Sequence, residues 1–422
     1  MIFTRKIKRL LAGQVVTVSN HLGAGVGVIV LALLFTACSR YEAVADPVEI
    51  VEVVEVIEAY EATEESEPVS EEIPPNPPCP IDELIYTMSV YQKIGQLFVA
   101  RMPTMQQAES LIELGIGGFV FFGSDVQSIE QMQNTISHLQ SHNSVYWGAI
   151  NIPLFIAVDE EGGRVSRVGR LLENDAQRRI ATPFIIGQTG EPDRAYYMYY
   201  AIGNQLSYLG FNMNFAPVAD IWTNPQNAVI GDRAFGTEPQ PVAEMVATAV
   251  QGLNSAGILS VIKHFPGHGD TVEDSHYLRA FYNHDRARFD SVEAIPFKSG
   301  IQAGADAVMM AHIVTPLLTP DAPYQPATFS SYLIQDVLRG EMGFEGLVIT
   351  DALDMRALTD YYSLEEILLN SFLAGVDILL MPQNPHLAHQ IMMEAYENGL
   401  FTTERLHESL RRILNKKDIK IG

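Results

Sequence analysis

Residues 263–276, KHFPGHGDTVEDSH, combine three histidines, three acids and a lysine. Histidines four and eight residues apart are typical of metal sites when one helix carries them. Pro266 and the glycines at 267 and 269 exclude a continuous helix, so only a loop-borne metal site stays open. A phosphate loop is disfavoured because Gly-x-x-x-x-Gly-Lys-Ser/Thr is absent and the lysine precedes the glycines.

The last three residues of this segment favour proton transfer. Asp274 and His276 are two positions apart, so the carboxylate can reach one imidazole nitrogen. This contact fixes the tautomer, raises the basicity of the ring and leaves the other nitrogen free to give or take a proton. The pair lacks only a nucleophile.

The segment GLVITDALDM supplies a carboxylate for that task. An apolar run, Leu347 to Thr350, predicts a buried strand that ends at Asp351. A carboxylate at such a position can attack an anomeric carbon while a separate acid protonates the leaving oxygen. The alternative for Asp351, considered alone, is the N-cap of the following helix.

The elements that must position these side chains follow from a recurring pattern. A helical stretch ends in a small or apolar residue and Gly, which suits a left-handed helix cap, and a short apolar strand follows. The glycines are Gly115, Gly210, Gly257, Gly304, Gly343 and Gly375. With the strand in PLFIAVDEEGG at 153–163, seven or eight units in about 340 residues predict an α/β fold, a single (β/α)8 TIM-type barrel. A doubly wound sheet is the alternative, but no Gly-x-Gly-x-x-Gly opens a helix.

Polar residues stand where the predicted strands end: Asp159, Glu160, Asp220, Lys263, His264, His312 and Asp351. In a barrel of this type the strand ends meet at the C-terminal mouth, where active sites lie. We expect Lys and Arg side chains there to keep Asp351 ionised.

Several ordered motifs resemble the β-N-acetylglucosaminidases of glycoside hydrolase family 3. They are KHFPGHG followed by DSH, VDEEGGRV at 158–165, NPQNAVIGDRAFG at 224–236 and VITDALDM at 348–355. SVYQKIGQLFVARM at 89–102 resembles the start of that domain, so the resemblance covers about residues 90–415. Only about 70 residues follow Asp351, which fits the branch without a second domain.

The resemblance implies a role for each matching residue. Asp351 would be the nucleophile, and His276, supported by Asp274, the general acid and base. The implied sugar-binding residues are Asp159, Arg167, Arg233, Lys263 and His264. The alternative for Lys263 and His264 is that they hold other site residues in position without contacting the sugar. Tyr277-Leu278-Arg279, Ala234 and Ala352 depart from the family's common residues, which puts aglycone preference in doubt.

The first 80 residues are expected to lie outside the catalytic domain. Residues 1–38 have a basic start and an apolar stretch typical of a signal peptide, ending in a lipobox-like LFTAC that predicts lipidation of Cys38. Residues 39–80 are acidic and Pro-rich and predict a disordered linker, and residues 81–422 the catalytic domain. We therefore expect an extracytoplasmic protein held to the membrane by a lipid anchor only.

Taken together, these features predict a retaining β-N-acetylhexosaminidase that releases terminal GlcNAc, with a GlcNAc-containing muropeptide or oligosaccharide as its partner. We expect a monomer that needs no metal or organic cofactor. The formal charge of −24 disfavours nucleic acid as a partner. A phosphorylase, another β-glycosidase of the family and a noncatalytic sugar-binding lipoprotein are the alternatives.

Overall fold

The computed structural model describes residues 80–148, 150–172 and 180–417, together with the backbone of 7–11, 14–18 and 420–421. Ile7–Leu11 and Gln14–Val18 pair antiparallel in a unit separate from the rest of the chain. Cys38 and the predicted linker up to residue 79 lie outside the described residues. None of the described helices is long and apolar enough to cross a membrane.

Eight parallel strands form the barrel. They are β1 (Phe98–Arg101), β2 (Gly118–Phe121), β3 (Phe155–Val158), β4 (Met213–Asn214), β5 (Leu259–Phe265), β6 (Ala307–Met310), β7 (Leu347–Thr350) and β8 (Leu379–Leu380). Each strand pairs with the next from β1 to β7, and β8 pairs with β1 through Leu379 opposite Phe98. A bridge from Ile349 to Ile378 joins β7 to β8, so the barrel is nearly closed.

Helices cover the outside of the barrel between the strands. They are α1 (Pro80–Thr87), α2 (Val90–Gly95), α3 (Met105–Ile112), α4 (Ile129–Trp147), α5 (Gly169–Leu172), α6 (Pro183–Gly187), α7 (Pro192–Leu209), α8 (Pro239–Ser255), α9 (Arg286–Ser291), α10 (Ala294–Gln302), α11 (Arg356–Thr359), α12 (Leu364–Ala374), α13 (Pro385–Glu397) and α14 (Thr403–Asn415). A helix of π type, Tyr332–Glu341, stands between β6 and β7. Short strands Ile150–Asn151 and Lys420–Ile421 pair antiparallel.

The strands are short, and four of them are buried on both faces. All four residues of β2, β3, β6 and β7 are buried, as expected where a parallel sheet encloses a packed interior and is itself covered by helices. The predicted (β/α)8 barrel is therefore confirmed, and every strand predicted from an apolar run is present. The strand that the pattern did not identify is β1, which ends at Arg101.

The six glycines that precede strands have φ values between 66 and 117°, the left-handed conformation predicted for them. Gly210 and Gly375 are the C-caps of α7 and α12. At the other end of α12, Ser363 and Glu366 form a reciprocal capping box. These caps end each helix close to the next strand, which keeps the connections at the bottom of the barrel short.

Candidate active site

A cavity of about 340 Å³ opens at the C-terminal mouth of the barrel. The cavity is lined by seven of the eight residues predicted to act on a sugar: Asp159, Arg167, Arg233, Lys263, His264, His276 and Asp351. Asp274, the eighth, lies behind His276 and lines a neighbouring cavity instead. A fold formed from contacts far apart in sequence thus brings the predicted residues together.

Asp351 follows β7 and is partly buried in the cavity wall. Its backbone N–H donates to the carbonyl of Met310 at 2.9 Å, and its Oδ1 accepts from the N–H of Ala352 at 2.8 Å. The next helix, α11, has Met355 as its N-cap, so Asp351 is not a helix cap. One carboxylate oxygen therefore stays available to a ligand.

The pKa of Asp351 is lowered from its usual value, but not by the groups expected from the sequence. Burial alone would raise this pKa; the protonated forms of His264, His312 and His276 and the N–H of Ala352 lower it further than burial raises it. We expected Lys and Arg to hold Asp351 ionised. That expectation was wrong, because Lys263 and Arg233 are bound to other carboxylates.

The predicted proton-transfer pair is formed. Nδ1 of His276 lies 2.8 Å from Oδ1 of Asp274, and the same oxygen accepts from the backbone N–H of His276 at 2.9 Å. None of the described residues hydrogen-bonds Nε2 of His276. The imidazole is 57% exposed on the loop and lines the cavity that contains Asp351, so Nε2 is open to a ligand bound there.

Lys263, Asp159, Glu161 and Arg233 form a buried charged cluster in the wall between β3 and β5. Nζ of Lys263 lies 2.7 Å from Asp159 Oδ1 and 2.6 Å from Glu161 Oε1. Glu161 also accepts from Arg233, through Nε at 2.7 Å and Nη2 at 2.8 Å. Burial would raise the pKa of Glu161, but Arg233 and Lys263 lower it strongly. The cluster holds two cations at fixed positions in the wall.

Sequence reasoning missed Glu161, although a signal was available. It lies two residues after Asp159 in VDEEGG, and alternate residues that leave a strand often face the same side. Its neighbour Glu160 was identified instead, but Glu160 has a structural role. Glu160 accepts from the backbone N–H groups of Arg167 at 2.6 Å and Val168 at 2.7 Å and so holds the loop that carries Arg167.

His264 is oriented by Asp220, a strand-end acid to which the sequence assigned no role. Nδ1 of His264 lies 2.6 Å from Asp220 Oδ2, while Nε2 lies 3.4 Å from Nη2 of Arg233. Because an arginine can only donate, Nε2 must accept and Nδ1 must carry the proton in the neutral form of His264. Asp220 therefore selects the tautomer of His264, and opposing charges lower the pKa of Asp220 although burial raises it.

Two further histidines are structural. Both ring nitrogens of His268 are bonded inside the loop, to Thr271 Oγ1 at 2.6 Å and to Ser275 Oγ at 2.9 Å. His312 is fully buried between Thr328 and the carbonyl of Ala352. In the part of the chain that the structure describes, no group of three or more His, Cys, Asp or Glu side chains is arranged to hold a metal ion.

Arg101 completes the cavity wall and was also missed, because β1 was not recognised as a strand. Its guanidinium carbon lies 4.8 Å from the ring centre of Phe122, a cation–π contact. None of the described carboxylates lies within ion-pair distance of it. Arg101 thus differs from Lys263 and Arg233, whose charges are neutralised within the wall.

A partly buried carboxylate and an Asp–His pair at the mouth of a (β/α)8 barrel are typical of hydrolases that use one nucleophile and one acid–base group. The model of the glycosyl hydrolase family 3 N terminal domain matches residues 89–416. The chain belongs to this family.

Relatives and solved structures agree with this assignment. The chain is 34% identical to the β-hexosaminidase A of Pseudoalteromonas piscicida, over 75% of this chain and 56% of that protein. It is 33% identical to the β-hexosaminidase of Nitrosomonas eutropha, over 69% of this chain and 81% of that protein. A family 3 β-N-acetylglucosaminidase from Paenibacillus sp. superimposes with a TM-score of 0.73 at 37% identity, over 78% of this chain and 62% of the other.

Proposed function

We propose that the protein is a retaining β-N-acetylhexosaminidase that releases terminal β-linked GlcNAc. The observation that carries this proposal is that Asp351 and His276 line the same cavity, the first with a lowered pKa and the second paired with Asp274. An ionised carboxylate and an oriented imidazole are the two groups that double displacement needs. The relatives named β-hexosaminidase support the choice of sugar.

In the first step, a carboxylate oxygen of Asp351 attacks the anomeric carbon. The bond from that carbon to the leaving oxygen breaks, and Nε2–H of His276 protonates this oxygen while Asp274 holds Nδ1–H. The sugar is then bound covalently to Asp351. In the second step, Nε2 takes a proton from water, the water oxygen attacks the same carbon, and the bond to Asp351 breaks.

We assign sugar binding to the remaining wall residues. Asp159, Lys263 and Arg233 offer acceptors and donors for hydroxyl groups within one charged cluster. Arg167 and His264 line the same cavity. Glu161 and Asp220 hold the side chains of Lys263, Arg233 and His264, and Glu160 holds the backbone at Arg167.

The test is the substitution Asp351→Ala, assayed with p-nitrophenyl β-N-acetylglucosaminide. We expect kcat to fall by at least about 1,000-fold, since the nucleophile has no substitute in the cavity. Asp290→Asn, at a half-buried acid paired with Arg286 on α9, is the matched control and should retain activity. Activity of the Asp351 variant near the wild-type level would contradict the proposal, and so would an α-anomer as first product of the wild type.

Phosphorolysis is a second candidate, favoured by Arg101, which forms no ion pair with a described carboxylate, and by the use of an imidazole where a carboxylate would repel phosphate. A solved structure titled β-glucoside phosphorylase BglX superimposes with a TM-score of 0.70 at 27% identity, over 80% of this chain and 59% of the other. Product analysis at raised phosphate separates the two reactions. Free GlcNAc as the sole sugar product would exclude phosphorolysis, and GlcNAc 1-phosphate would establish it.

We further propose that the natural substrates are peptidoglycan fragments and that the protein acts outside the cytoplasmic membrane, anchored through Cys38. The support is the lipobox-like sequence and the basic, then apolar, N-terminus. Digestion of purified muropeptides tests the substrate. Membrane fractionation of the wild type and a Cys38→Ala variant tests the anchor, since the variant should move to the soluble fraction.

A further inference from the structure

The site that receives the leaving group of the substrate can be located from the position of His276. The leaving oxygen must touch the group that protonates it, so the aglycone has to begin beside Nε2 of His276. His276 lines two cavities, the one that contains Asp351 and a second of about 420 Å³. The two cavities share Val165, Arg233 and His276, so the second adjoins the first beside the imidazole that the leaving oxygen must touch.

One wall of this second cavity, here called the aglycone groove, is held rigidly. Nη2 of Arg164 lies 2.8 to 2.9 Å from the carbonyl oxygens of Ala228, Val229 and Ile230, and its Nε lies 2.8 Å from Asp232. These contacts fix the chain from 228 to 232. The wall that results presents the side chains of Val229 and Ala228, with Val165 beside them.

The opposite wall is the loop that carries His276. The root of this loop is anchored, because Nδ2 of Asn227 donates to the carbonyl of His268 at 2.7 Å. Its middle is exposed, with Val272 56% exposed and facing the groove. Gln226 adds an exposed amide at the edge of the groove.

The charges in the groove are all neutralised within the protein. Arg164 pairs with Asp232, Arg233 pairs with Glu161, and Asp274 binds His276. Among the described residues that line the groove, an anionic aglycone would find no unpaired cation, and it would meet the carboxylate of Asp274. A ring with an apolar face and hydroxyl or amide groups would find the valines and Gln226.

We propose that the groove between Val165, Val229 and Val272 is the aglycone site, and that it accepts an uncharged sugar ring such as a second N-acetylhexosamine. This inference rests on the proposed function. It also agrees with peptidoglycan fragments whose lactyl carboxyl group is amidated by a peptide, because that group is then neutral.

A rival location exists on the other side of the active cavity. A cavity of about 570 Å³ shares Arg101, Asp354 and Met381 with the active cavity and extends to Gln383 and His386. His276 does not line it. If the aglycone lay there, Arg101 would favour an anionic leaving group, so the two locations predict opposite preferences.

The test compares Gln226→Ala, Val272→Ala and their double variant with the matched control Gln383→Ala in the rival cavity. Each is assayed on N,N′-diacetylchitobiose and on N-acetylglucosaminyl fluoride. The fluoride leaving group is a single atom, too small to contact the walls of either cavity. For the double variant we expect the ratio of kcat/KM for the disaccharide to kcat/KM for the fluoride to fall about tenfold, and for the control to stay at the wild-type ratio. A disaccharide with a carboxylate on its second ring should be the poorer substrate of the wild type.

Either of two results would overturn the inference: an unchanged ratio in the double variant, or a fall in the Gln383→Ala ratio with a preference for the carboxylated disaccharide. Failure of the proposed function would look different, since the wild type would then hydrolyse neither the fluoride nor the disaccharide. The fluoride assay therefore separates the two proposals.

Discussion

The ammonium group of Lys263 lies 2.6 Å from Oε1 of Glu161, a carboxylate with no solvent exposure in the wall of the cavity. Glu161 binds Arg233 with both oxygens as well. One acid therefore fixes two cations that are expected to contact the sugar. Because it lies in the wall behind them, its effect on catalysis would be transmitted through their positions.

Substitution Glu161→Gln should weaken both folding and catalysis. Without the carboxylate charge two buried cations lose most of their compensation, so we expect the free energy of unfolding to fall by about 3 kcal/mol. We expect kcat/KM to fall by about 100-fold, because displaced binding groups cost rate even when the chemistry is intact. Urea unfolding and steady-state kinetics measure the two effects. Glu109→Gln, which affects an exposed pair with His138, is the control and should change neither.

The tautomer of His264 should depend on Asp220. In Asp220→Asn the new amide can present a donor to Nδ1–H, so His264 is expected to move its proton to Nε2 or to rotate. Imidazole nitrogen NMR would detect the change of tautomer, and kcat/KM should fall by about 100-fold. A variant with the wild-type tautomer and rate would show that Asp220 does not orient the ring.

His276 should matter less when the leaving group needs no proton. We expect His276→Ala to lower kcat/KM on N,N′-diacetylchitobiose by about 1,000-fold, and much less on a dinitrophenyl glycoside, which leaves without acid assistance. Without the base, hydrolysis of the covalent intermediate should become slow and produce a burst of dinitrophenol. Asp274→Asn should show the same pattern more weakly. Equal losses on both substrates would contradict the assigned role.

The stability of the protein should decline as pH falls through the range of His268. Burial, together with the charge of His264, lowers the pKa of His268 to about 4, whereas an unfolded histidine titrates near 6.5. Between these values the unfolded state binds more protons than the folded state, so stability is greatest above about 6.5 and falls towards pH 4. The expected loss from this group is about 3 kcal/mol.

Urea unfolding of the wild type and His268→Gln at several pH values from 7 to 4 measures this contribution. The variant should be less stable at pH 7, because its contacts with Thr271 and Ser275 change, but its stability should fall less steeply with pH. His138→Gln, at an exposed histidine, should keep the wild-type slope. Parallel slopes for wild type and His268→Gln would show that another group controls the acid range.

The sequence by itself was sufficient for the barrel and for the identity of most groups at its mouth. Glycine caps followed by apolar runs are local patterns, and they located six of the eight strands, including β7 with Asp351 at its end. The apolar run in PLFIAVDEEGG located a seventh, β3. The contact between Asp274 and His276 was also predictable, because two residues of spacing suffice to form it. Neither pattern identified β1, and with it Arg101 was missed.

Which charges act on which residue was decided only by the tertiary structure. Asp351 was expected to lie under the influence of Lys and Arg, yet Lys263 and Arg233 are bound to Glu161, and imidazoles act on Asp351 instead. Such pairing depends on distances of a few ångströms between residues that lie far apart in the chain, from 161 to 233 and 263. Coulomb energies change steeply over those distances and with burial, and neither quantity is written in the spacing of residues along the sequence.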